Sequence, residues 1–136
     1  MDLSAFDLET EAESGAKYEL LAPRDDLASK VKAGDGLGVF FSVYGDESPT
    51  FARALRVMAD EIRANLAVEP KEPDAAAKLS HARIQACAVY GWEGVVFNGA
   101  AMPFSRDNAI ELFLKRPWIG RQIEAHRRNP GNFAPR

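Results

Sequence analysis

His81, His126, Cys87 and the pair Asp25-Asp26 are the side chains of this sequence whose types could do chemistry beyond packing. A zinc site draws four His, Cys or carboxylate ligands, usually supplied at close spacings. Neither histidine has a second His or Cys at such a spacing, so no metal site is assigned, and His81 reads as a surface residue of a helix. Asp25-Asp26 could meet a hard cation, but one pair in a polar stretch reads as a solvated turn. Cys87 lies among Ala86, Ala88 and Val89, with no adjoining positive charge to stabilise a thiolate, and reads as a small buried apolar residue. It is the only cysteine, so no internal disulfide can form. Gly34-Asp35-Gly36-Leu37-Gly38 precedes a strand, whereas phosphate-binding glycine loops follow a strand and open a helix. It reads as a turn. With no Gly-x-Ser-x-Gly elbow either, the sequence predicts no catalytic residue, no metal and no cofactor.

Basic side chains raise a different possibility. Lys115, Arg116, Arg121, Arg127, Arg128 and Arg136, with Trp118, could follow a phosphate backbone. The chain as a whole is acidic, with a net charge of −3 and a pI near 5.4. No recognition helix stands out, so nucleic acid is not the expected partner. The charge is unevenly spread: residues 1–48 carry 11 acids and 4 bases, residues 49–104 carry 6 of each, and residues 105–136 carry 3 acids and 7 bases. Such segregation can steer a partner, or be no more than two solvated faces. The 136 residues suffice for one domain with its own core. No apolar run approaches the roughly 18 residues that would suggest a membrane-spanning helix. The start, Met1-Asp2-Leu3-Ser4-Ala5-Phe6-Asp7, lacks the basic lead of a secretory signal, so a cytoplasm is the expected compartment.

The elements that must position these residues follow from pattern. Residues 1–16 read as a flexible acidic arm, because Glu9, Glu11 and Glu13 repel one another and Ser14-Gly15 closes the segment. Tyr18-Glu19-Leu20 reads as a short strand stopped by Pro23. In Leu37-Gly38-Val39-Phe40-Phe41-Ser42-Val43-Tyr44, the residues Leu37, Val39, Phe41 and Val43 share one face at period two. Phe40 and Tyr44 share the other, which predicts that this face is covered too. Ser48 caps a first helix that Pro49 opens, and Phe51, Leu55, Met58, Ile62 and Leu66 form its apolar stripe. That stripe suits a core, or less readily a partner groove. A second, alanine-rich helix is predicted from about Asp74 to Tyr90, ended by Gly91. Asn98-Gly99 marks a tight β turn. Ser105 caps a third helix, Pro117 opens a fourth, and Phe133 folds back after Asn129-Pro130-Gly131-Asn132. The predicted fold class is α+β: about four helices, a small N-terminal antiparallel sheet and a short β turn before the third helix. Residues 17–136 form a single domain in this reading.

Three segments, taken in order, resemble the tail assembly chaperones of siphophages and related prophages. They are Val43-Tyr44-Gly45-Asp46-Glu47-Ser48-Pro49-Thr50-Phe51; Tyr90-Gly91-Trp92-Glu93-Gly94-Val95; and Met102-Pro103-Phe104-Ser105-Arg106-Asp107-Asn108-Ala109. The last is followed by Arg116-Pro117-Trp118-Ile119, Arg121-Gln122-Ile123 and Asn132-Phe133. The resemblance covers about residues 17–133 and rests on order and spacing, each motif alone being short and structural. Read from the residues, the motifs are architecture: Phe51, Trp92, Phe104, Trp118 and Phe133 are the expected anchors.

The resemblance implies a non-enzymatic protein of the host cytoplasm, absent from the mature virion. Such proteins bind the long, apolar, helical tape measure protein, keep it soluble and help recruit tail tube protein around it. A frameshifted longer form of the chain is a further implied partner, and several copies, by self-association or repeated binding, would cover the client. A virion structural protein, such as a tail terminator or head–tail connector, is the alternative. Covering a helix requires apolar surface. The second helix suggests a groove, with Ala77, Ala82 and Ala86 leaving room and Met58 and Met102 adapting to varied shapes. The opposing expectation is that these alanines pack against the first helix and contact nothing else.

Overall fold

The structure, a computed structural model, describes residues 1–135; Arg136 lies outside the described residues. Strand β2 (Gly36–Val43) is the centre of a three-stranded antiparallel sheet, flanked by β1 (Ala16–Leu21) and β3 (Val89–Glu93). Tyr18, Phe41 and Trp92 sit opposite one another across the three strands. The period-two face turns inward as its pattern predicts, and Phe41 and Val43 are fully buried. On the other face Phe40 is half-buried between Glu19 and Glu93, and a Lys17–Glu93 ion pair of 2.8 Å crosses the sheet.

Strand β3 is a departure from the sequence reading, which ran the second helix on to Tyr90. The helix ends at Ala88, because β-branched and aromatic residues follow and pair with β2. Gly91 lies within that strand opposite Ser42 and is not a helix cap.

The other helices begin where their caps stand. Ser48 Oγ accepts from the Phe51 amide at 3.1 Å to start α2 (Pro49–Ala64), numbered after the α1 described below. The Glu72 carboxylate accepts from Asp74 and Ala75 to start α3 (Pro73–Ala88). Ser105 caps α4 (Arg106–Lys115), and Pro117 opens α5 (Pro117–Arg128). Strands β4 (Val96–Phe97) and β5 (Ala100–Ala101) make a hairpin over Asn98-Gly99, whose φ values of 54° and 81° fit a turn that needs two left-handed residues. Helix α3 packs chiefly on α4, where Ala82, Ala86 and Ala109 are all buried and let the helices approach. Phe113, Ile119 and Ile123 join Phe41 and Val43 to complete the core.

Residues 1–16 are not a free arm throughout. Leu8–Ser14 form α1, capped by Asp7, with Ala12 buried. Local acidic repulsion is offset by a distant partner. The Glu13 carboxylate accepts from Ser48 Oγ at 2.6 Å, from the Thr50 amide at 3.1 Å and from Thr50 Oγ1 at 2.5 Å. These donors stand at the positive end of α2 and hold the Glu13 carboxyl below its ordinary pKa. Gly45 makes the docking possible: a Cβ there would stand 2.8 Å from the Ala12 Cβ and 3.1 Å from its Cα. Gly45→Ala should therefore loosen α1. A loss of about 1.4 kcal/mol in docking would speed cleavage after Glu9, Glu11 or Glu13 by a glutamate-specific protease about tenfold. An unchanged cleavage rate would show that α1 is held elsewhere.

Beyond α5 a short turn over Pro130–Phe133 returns Phe133 to the core, as the sequence suggested. Phe133 and Tyr18 lie on the buried His126 ring, with centroids 5.1 and 4.9 Å away. His126 Nε2 has no hydrogen-bond partner among the described residues. Burial lowers the His126 pKa, opposed by a hydrogen bond to the Ala16 backbone. The folded state thus favours the neutral ring, and stability should fall as pH drops below the unfolded pKa of about 6.5. Urea midpoints measured from about pH 7.5 to 5.5 should show this fall, and His126→Phe should flatten it. An equal slope in both proteins would assign the dependence to other groups.

Candidate partner-binding surface

The apolar stripe of α2 begins in the core and ends outside it. Phe51 is 4% exposed, and Leu55, Met58 and Ile62 are half-buried; the helix stops at Ala64, short of the expected Leu66, and a short turn over Leu66–Val68 leaves Leu66 63% and Val68 79% exposed. The first turns of α3 run beside this end, with Ala75 and Ala77 exposed and Ala76 and Leu79 half-buried. The base of the α2–α3 hairpin is therefore core and its tip is open apolar surface. The connection is pinned rather than loose. Arg83 of α3 pairs with both carboxylate oxygens of Glu69, the Nη2–Oε2 distance being 2.8 Å. Arg83 holds the Glu69 carboxyl below its ordinary pKa by that hydrogen-bonded pairing.

The residues expected to bind a partner divide on this frame. Ala82 and Ala86 are 2% and 0% exposed and belong to the core, so neither offers open apolar surface to a client helix. Helix α3, which carries them, packs on both α2 and α4. Ala77 is exposed on α3. Met58 is half-buried, its sulfur 3.8 Å from the Cys87 sulfur, and Met102 is half-buried beneath Trp92. Ala82, Ala86, Met58 and Met102 thus belong to the core or pack on it, and Ala77 is the one of the five that is exposed.

The anchors divide as well. Phe51 and Phe133 are buried, and Trp118 is half-buried against the core. Trp92, expected to be buried, is half-buried: its ring stands edge-on to Phe41 at 5.9 Å and its Nε1–H donates to the Met102 carbonyl at 2.8 Å. Phe104 is 37% exposed and lies edge-on to Trp92 at 5.1 Å, a rim of that cluster more than an anchor.

Sequence reasoning placed Leu66 in the stripe but did not find Val68 or the Glu69–Arg83 clamp. The signal for the clamp was slight: a carboxylate beside Pro70 in the breaker, and a basic residue about three turns into the next helix.

The side chains that could do chemistry are dispersed. Cys87 is buried, and burial pushes its thiol pKa up, away from thiolate reactivity. His81 is exposed on α3. Asp25 accepts from the Ala33 amide at 2.8 Å and Asp26 from Ser29, so the pair holds its own loop together. Among the described residues, no group of three or more His, Cys, Asp or Glu could hold a metal ion. Of the C-terminal bases, the buried Arg127 pairs with the exposed Asp46 and lies over the Phe51 ring, while Arg128 pairs with Glu124 and Lys115 with Glu111. No helix among the described residues is long and apolar enough to cross a membrane. Comparison with protein-family models, with curated proteins and with solved structures finds no match for this chain.

Proposed function

We propose that this chain is a phage tail assembly chaperone, working in the host cytoplasm on an apolar helical client, the tape measure protein. The observation that carries the proposal is the open tip of the α2–α3 hairpin, where the stripe leaves the core at Ile62, Leu66 and Val68. An apolar client helix can lay its own stripe there, as amphipathic helices do in helix-in-groove recognition. The pinned Glu69–Arg83 connection keeps that tip in one shape before the client arrives, which lowers the ordering cost of binding. The order and spacing of the segments around Ser48-Pro49, Trp92 and Pro103-Phe104-Ser105 support the same reading.

A tagged copy of the chain, recovered from cells assembling tails, should bring the tape measure protein with it. Finished, purified tails should lack the chain. Its presence there at ring stoichiometry would favour a tail terminator or head–tail connector.

A further inference from the structure

A second concave surface lies away from the hairpin tip, between α3, α4 and the start of α5. It is a groove of about 330 Å³ whose walls carry the exposed Leu114 and Pro117, with the buried Ala82, Gln85 and Phe113 beneath them. Lys78, His81 and Arg121 stand on its rim, all exposed. Its one carboxylate, Glu124, is engaged by Arg128 at 2.6 Å and Arg127 at 3.6 Å. Neither Lys78 nor Arg121 has an ion-pair partner among the described residues. The groove therefore has apolar walls, a single amide, Gln85, at the bottom and positive charge around the edge.

The chain itself carries a segment of the opposite character. Met1, Leu3 and Phe6 are 99%, 75% and 59% exposed, and Asp2, Asp7 and Glu9 lie among and just after them. A short turn over Leu3–Ala5, capped by Asp2, gives the segment a defined shape while leaving its apolar side chains bare. In its own chain it leads into α1, which docks beside Arg127, Arg128 and Phe133 at the far end of α5 from the groove.

We infer that residues 1–7 of one copy seat in the α3–α4–α5 groove of a second copy, Leu3 and Phe6 against Leu114 and Pro117 and Asp2 and Asp7 against Lys78 and Arg121. The contact is heterologous, joining one surface to a different one, so it propagates head to tail into a ring or a short filament. It follows the charge segregation of the chain, whose first 48 residues hold 11 acids and 4 bases and whose last 32 hold 3 acids and 7 bases. Opposed fields of this kind set orientation and speed encounter, and salt screens them. The contact is independent of the client reading, because it uses neither Leu66 nor Val68.

Sedimentation velocity on the full chain over a concentration series tests this. Wild type should self-associate, more weakly as salt rises. An arm variant, Leu3→Asp with Phe6→Asp, and a groove variant, Leu114→Asp with Arg121→Glu, should each be monomeric alone. Mixed in equal amounts they should form a one-to-one dimer, since one supplies an intact groove and the other an intact arm. Wild type that stays monomeric at millimolar concentration, including one whose arm folds into its own groove, overturns the inference. So does an arm variant that still associates, or a mixture that stays monomeric. Should the groove variant lose its circular dichroism, Lys78→Glu with Arg121→Glu replaces it. Those side chains are exposed, and their reversal should weaken association about tenfold at low salt; an unchanged association overturns the inference.

Discussion

Phe41→Ala should lower the unfolding free energy by about 3–5 kcal/mol, read as a fall in the denaturant midpoint. Phe41 is fully buried in the middle strand, with Trp92 at 5.9 Å and Phe113 at 6.1 Å. Its ring is thus the point where the sheet meets α4, and Phe41→Ala would leave a cavity that neither neighbour can fill without leaving its own site. A domain of this size is stable by only about 5–15 kcal/mol, so the variant should lose a large share of its stability. Trp92→Ala should cost less than Phe41→Ala, because Trp92 is half-buried and part of its ring is already in contact with solvent. A larger loss at Trp92 would place the centre of the core at the β3 edge.

Leu66→Asp combined with Val68→Asp should leave stability nearly unchanged and weaken client binding about a hundredfold. Both side chains are mostly exposed, and surface substitutions of this kind usually move stability by less than about 0.5 kcal/mol. In a complex they would be covered, each contributing about 1.5 kcal/mol of apolar burial. Losing both should weaken binding of a tape measure helix about a hundredfold, before any cost of burying two carboxylates. Ala82→Glu is the contrasting change. It drives a charged side chain into the α3–α4 contact, so it should unfold the domain whether or not a client is present. If Leu66→Asp with Val68→Asp also unfolds the chain, the tip belongs to the core and the client surface lies elsewhere.

What was legible in the sequence was what local pattern determines. Ser48-Pro49 and Ser105 announce helix starts because capping is a property of a few consecutive residues. The alternation from Leu37 to Val43 fixes which face of β2 is buried, and Asn98-Gly99 fixes its turn. What escaped depends on distant partners. Glu13 belongs to a docked helix only because Ser48 and Thr50 meet it 35 and 37 residues later. Val89–Glu93 is a strand only because β2 offers an edge, and the alanine-rich run before it masked the change of period. Ala82 and Ala86 announced either close helix packing or an open groove, and composition does not decide between them; both are buried in the core. The open apolar tip was half visible: the stripe was clear, and where it leaves the core was not.

The most direct measurement is the soluble fraction of the tape measure protein, expressed with this chain, without it, and with the Leu66→Asp, Val68→Asp variant. The account predicts a soluble client with the wild-type chain only, recovered as a complex of the two proteins. A client equally soluble in all three cases, or equally insoluble, would contradict it.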